Sequence, residues 1–107
     1  MTNLTNPFGI PNPVIQQILQ IFQTVPDLEW VKVYGSRAKG NFRANSDIDL
    51  AFKVRGPADP SARLLSTLDE LPTPYRFDVT NIDCVQNQEL HAHIMRVGKT
   101  LLNQSSP

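Results

Sequence analysis

The chain has 107 residues and balances ten Lys and Arg against ten Asp and Glu, so it is sized for one domain and carries no bulk charge to draw it to nucleic acid or an anionic membrane. Its 40% hydrophobic and 19% charged content fits a soluble globular protein, and no apolar run approaches the roughly 20 residues that span a bilayer. A single cysteine, Cys84, excludes an intramolecular disulfide, and the N-terminus lacks the pattern of a secretory signal, which makes the cytoplasm the expected compartment.

Residues 1–12, rich in Asn, Thr and Pro, read as an irregular lead-in. Asn12 and Pro13 look like an N-cap followed by proline at the first helical position, and Val14, Ile18, Ile21 and Val25 then recur at helical spacing until Pro26. Trp30 to Gly35 is short, β-branched and aromatic, and reads as a strand ending in a glycine turn. Ser36 to Phe42 predicts one helical turn. From Asp47 to Val54 the alternation places Ile48, Leu50, Phe52 and Val54 on one face and Asp47, Asp49, Ala51 and Lys53 on the other, the pattern of a half-buried strand.

Asp59 and Pro60 repeat the cap-plus-proline signal, and Leu64, Leu65, Leu68 and Leu71 form the stripe of a second long helix before Pro72 and Pro74. A third strand is predicted from about Tyr75 to Ile82, with Arg76, Asp78 and Thr80 on its polar face. Leu90, Ile94 and Val97 mark a last helix over Gln88 to Val97 that stops at Gly98, a glycine suited to a C-terminal cap. Three strands and three longer helices predict an α/β (α+β) domain over 13–102: a small mixed sheet with helices packed mainly on one face, followed by a flexible tail over 103–107.

Asp47 and Asp49, two apart on a strand, point the same way with Cα atoms roughly 7 Å apart. Two carboxylates about 5 Å apart repel by roughly 3 kcal/mol at an effective dielectric of 20, and a divalent cation relieves that repulsion. Magnesium suits the pair, because it commonly takes one or two carboxylates together with substrate phosphates. The alternative is that both aspartates sit on a solvated strand face, or that one caps a turn after Ser46. The Gly35–Ser36 corner, where a strand turns into a helix start, offers backbone N–H groups to an anion, with Arg37 and Lys39 adding positive charge. A Gly-Ser turn with basic neighbours is also commonplace on surfaces. Asp78 is by strand parity the candidate third carboxylate of a two-metal arrangement, ahead of Asp83.

Taken together, Gly35–Ser36, Ala38, Gly40, the run Ser46-Asp47-Ile48-Asp49-Leu50 and Asp78 on a later strand resemble the nucleotidyltransferase superfamily related to DNA polymerase beta. Within it the chain resembles the minimal nucleotidyltransferases, MNT proteins that are often antitoxin partners of HEPN toxins. The resemblance runs from about Trp30 to Leu102. It implies metal-dependent transfer of a nucleoside monophosphate, AMP from ATP, to a hydroxyl, with Asp47, Asp49 and Asp78 holding two Mg2+ ions. It further implies that Gly35 and Ser36 hold the β- and γ-phosphates, with Arg37 and Lys39 as support, and that Asp78 acts as base toward the acceptor.

Three functions follow as expectations. The first is adenylylation of a partner protein, a HEPN-domain toxin, motivated by a complete acidic triad in a chain with no second domain to hold a small acceptor. The second is neutralisation of that partner by binding alone. The third, transfer to a small molecule such as an aminoglycoside, would require a surface borrowed through homo- or hetero-oligomerisation. Of the remaining candidates, Cys84 has no partner cysteine, His91 and His93 are two apart on a helix and so face away from a shared metal, and Trp30 and Tyr34 read as core or interface.

Overall fold

A computed structural model describes residues 7–104. Helix α1 spans Asn12–Phe22, with Pro11 as its N-cap and Pro13 in its first turn, one residue earlier than the sequence cap signal suggests. Val14, Ile18 and Phe22 fall on one stripe and are buried. Strand β1 (Leu28–Tyr34) follows, then α2 (Ser36–Lys39), β2 (Ile48–Val54), α3 (Ser61–Asp69), β3 (Phe77–Asn81), a short 3₁₀ turn over Ile82–Cys84, α4 (Gln88–Val97) and β4 (Lys99–Asn103).

The sheet order is β3-β2-β1-β4. β1 runs antiparallel to both β2 and β4, whereas β2 and β3 are parallel, and α3 supplies the crossover that a parallel pair requires. The apolar face of β2, with Ile48, Leu50, Phe52 and Val54, joins Val31, Val33 and Phe77 beneath α1 and α3. Phe22 meets Phe52 at 5.9 Å between ring centroids. The expected mixed sheet is therefore present, with its larger helical layer on one side.

The opposite face is covered in part. Ala51, expected on the polar side, is 0% exposed because Ile94 of α4 packs over it together with Tyr34 and Ile82. A small side chain at position 51 lets the helix approach the sheet. This second cluster leaves the end of the face that carries Asp49 and Asp78 open.

Strand β4 is an addition to the sequence reading, which placed a helix end and a tail there. Gly98 is extended, at φ −62° and ψ 141°, and does not form a left-handed cap. A Cβ at Gly98 would run into the Ile94 carbonyl and the Lys32 side chain, so glycine here permits the chain to turn tightly from α4 into the sheet edge. Asn103 ends that strand, and the Gln104 N–H donates to the Glu29 carbonyl at 2.7 Å.

Within the expected irregular lead-in, residues 7–11 carry no regular element, yet Phe8 and Ile10 are buried in the main core. The rest of the expected lead-in, 1–6, and the rest of the expected tail, 105–107, lie outside the described residues. Among the described residues no helix is long and apolar enough to cross a membrane.

Candidate active site

β1 delivers the chain into Gly35, whose φ of 74° and ψ of −152° belong to a region that side-chain-bearing residues rarely enter. The same glycine is required by contact, because a Cβ there would meet Asp49 Oδ2. Ser36 begins α2 and is half-buried, while Lys39 at its end is exposed. Gly40 closes the turn at φ 87° with its N–H donating to the Ser36 carbonyl at 3.0 Å.

Arg37, expected beside the triphosphate, lies in the interior at 1% exposure. Nε and Nη2 donate to the Ser46 carbonyl at 3.2 and 2.9 Å, and Nη2 also donates to Ala44 O at 3.3 Å. Nη1 donates to Phe8 O at 2.8 Å and Gly9 O at 3.3 Å. These bonds occupy the five N–H donors of a guanidinium. The group also lies 5.1 Å from the Phe42 ring centroid and 5.2 Å from that of Tyr75. Arg37 thus ties the N-terminal segment to the loop that leads into Asp47, and Lys39 is left as the exposed basic side chain of the turn. The Arg43 N–H to Ser46 Oγ bond at 2.7 Å tightens that loop further.

Asp49 stands opposite Asp78 in the parallel β2–β3 register and opposite Tyr34 in the antiparallel β1–β2 register. Tyr34, Asp49 and Asp78 therefore form one row across three strands, and Asp47 sits exposed just before β2. The Asp49 carboxyl is raised from 3.8 to about 6, by desolvation first and then by the charges of Asp78 and Asp47, with Arg37 pulling the other way. Asp49 feels the charge of both Asp78 and Asp47 with Arg37 below the surface, and these oxygen donors with their excess of negative charge fit a divalent metal. Among the described residues no three His, Cys, Asp or Glu side chains are drawn together as a ready-made ligand cluster. Magnesium fits such an open set, because it commonly binds through one or two carboxylates and completes its shell with phosphate oxygens and water.

Tyr34 is the residue that sequence reasoning missed at this site. Its ring lies in the second cluster, but its hydroxyl reaches Thr80 Oγ1 at 3.2 Å and Asp78 Oδ2 at 3.5 Å. The available signal was parity: Tyr34 immediately precedes the glycine turn and shares the polar face of the sheet. Asp83 lies elsewhere, in the 3₁₀ turn, paired with Lys53 at 3.0 Å. Cys84 is exposed beside Asp59, at 3.5 Å from Sγ to Oδ2. His91 and His93 line different hollows, one with Trp30 and Met95 and the other with Leu90 and Arg96.

A family model described as polymerase beta, nucleotidyltransferase matches residues 16–107. No curated protein sequence matches the chain. Among solved structures, a toxin–antitoxin with AMP-PNP is similar at 23% identity and a TM-score of 0.65, covering 84% of this chain and 73% of that one. A chain from the tri-AMPylated Shewanella oneidensis HEPN toxin in complex with MNT antitoxin matches at 19% identity and a TM-score of 0.60, covering 86% and 71%. A putative nucleotidyltransferase from Sulfolobus solfataricus matches at 18% identity and a TM-score of 0.56, covering 86% and 79%. At these identities the structural likeness speaks to the fold.

Proposed function

The chain belongs to the polymerase beta nucleotidyltransferase family, and on that premise we propose that it transfers AMP from ATP to a hydroxyl of a HEPN-domain partner protein. The observation that carries the reading is the contact of Asp49 with the Gly35 turn, which makes the proposed phosphate-holding corner and the acidic row parts of one site.

In this reading the Gly35–Ser36 backbone and the Ser36 hydroxyl bind the β- and γ-phosphates, and the exposed Lys39 lends charge from the edge of the turn. Magnesium, held by Asp47 and Asp49 with Asp78 completing the acidic set, would supply the positive charge that neutralises the triphosphate. The acceptor hydroxyl oxygen bonds to the α-phosphorus, the bond from that phosphorus to the β-bridging oxygen breaks, and pyrophosphate leaves. Asp78, on an edge strand and exposed, takes the hydroxyl proton. No protein nucleophile is needed, because positioning and charge neutralisation carry such transfers. Arg37 acts from below by fixing the 44–46 backbone that delivers Asp47.

ATP as donor and a HEPN protein as acceptor draw support from the similar structures with AMP-PNP and with an AMPylated HEPN toxin. Co-expression with a HEPN-domain protein tests the assignment by intact mass. A partner heavier by one or more AMP units, and unmodified when Asp47→Asn and Asp49→Asn replace the wild type, supports transfer. Neutralisation that persists in both variants without any mass gain instead makes the protein a binding antitoxin.

A further inference from the structure

We propose that Tyr34 is a positioning residue for Asp78, its phenol reaching across the face of β2 to hold that carboxylate toward the acceptor; the inference rests on the role proposed for Asp78. Tyr34 and Asp78 are each in register with Asp49, from opposite sides. Strands are spaced by about 4.8 Å, so the two backbones stand about 10 Å apart, a gap that a phenol spans and a serine or threonine does not. The hydroxyl lies 3.5 Å from Asp78 Oδ2 and 3.2 Å from Thr80 Oγ1. With one proton on the phenol, it donates to the carboxylate and accepts from Thr80.

The two ends of this bridge differ in freedom. Tyr34 is 7% exposed and packed with Ala51, Ile82 and Ile94, so its ring cannot swing. Asp78 is exposed on an edge strand beside Asp49, whose like charge favours rotation away from the row. The buried phenol donates to the carboxylate and opposes this rotation. A position that only filled the apolar cluster would be served by phenylalanine, and the hydroxyl has its partners in Asp78 and Thr80.

The test compares Tyr34→Phe, Asp78→Ala and the double variant in two measurements. In thermal melts of the nucleotide-free protein, the Tm shift caused by Tyr34→Phe is expected to fall to less than half once Asp78 is already alanine; equal shifts in both backgrounds overturn the contact. In AMP transfer to the partner, Tyr34→Phe is expected to lower kcat roughly tenfold with the KM for ATP held within about twofold. An unchanged kcat, alongside an inactive Asp78→Ala, overturns the positioning role while leaving the wider reading intact. Full activity of Asp78→Ala overturns the wider reading and this role with it, whatever the melts show about the contact.

Discussion

Asp49 Oδ2 occupies the space where a side chain at Gly35 would begin, so the glycine turn and the acidic strand touch across the β1–β2 pair. Gly35→Ala therefore faces two costs, a backbone at φ 74° and a collision with the carboxylate. Gly40→Ala faces only the first, since nothing lies within 4 Å of its would-be Cβ at φ 87°. Chemical denaturation should show Gly40→Ala losing about 1 kcal/mol and Gly35→Ala losing about 3 kcal/mol, with ATP binding impaired only by the latter. Equal losses would contradict the contact.

Arg37 is a structural cation. Replacing it with Met removes five donors from four carbonyls, of Phe8, Gly9, Ala44 and Ser46, and the loss should reach about 3 kcal/mol in urea unfolding. Limited proteolysis should then cut the variant's 40–47 loop and the segment around Phe8 faster than the wild type. Arg37→Lys should recover little, because an ammonium has three donors and no planar fork.

Much of this was legible in the sequence because alternation is a backbone property. The strand from Ile48 to Val54 and the facing of Asp49 and Asp78 followed from parity, and α4 matches its predicted span of Gln88 to Val97. Strand β4 was hidden because Lys99–Asn103 is an edge strand with only Leu101 and Leu102 half-buried, and its pairing to β1 slips register between Val31 and Lys32. The fate of Arg37 was hidden for another reason: its partners are carbonyls, including those of Phe8 and Gly9 almost thirty residues away, and no side-chain pattern marks a carbonyl. Tyr34 combined both problems, with a ring that reads as core and a hydroxyl whose partners sit on a distant strand.

Asp49 makes stability depend on pH in an uncommon direction. Its folded pKa of about 6 lies above the 3.8 of an ordinary aspartate, so the folded state binds the proton more tightly. Metal-free protein should lose stability as pH rises from about 4 to about 6 and then level off. Asp49→Asn should flatten that slope and raise stability at pH 7 by about 1 kcal/mol, after discounting solvent screening at this half-exposed group. Magnesium should raise the Tm of the wild type more at pH 7 than at pH 5, and a Tm insensitive to pH over this range would contradict the crowding of charge around Asp49.

Asp83 supplies the control carboxylate. Its ion pair with Lys53 is exposed, so Asp83→Asn should change stability by less than about 1 kcal/mol and leave nucleotide transfer intact. Steady-state transfer assays on Asp78→Asn and Asp83→Asn side by side should separate them, with Asp78→Asn binding ATP but failing to transfer. Comparable losses in both would remove the distinction drawn from strand parity.

One site, joined through Gly35 and Asp49, is proposed to break ATP at its α-phosphorus. Incubation of the purified protein with magnesium, a HEPN-domain protein as the proposed partner and ATP labelled at either the α or the γ position tests this. Label is expected on the partner from the α position alone, with pyrophosphate released and no label when Asp47→Asn or Asp49→Asn is used. Transfer of the γ label, or α label that survives both substitutions, would contradict it.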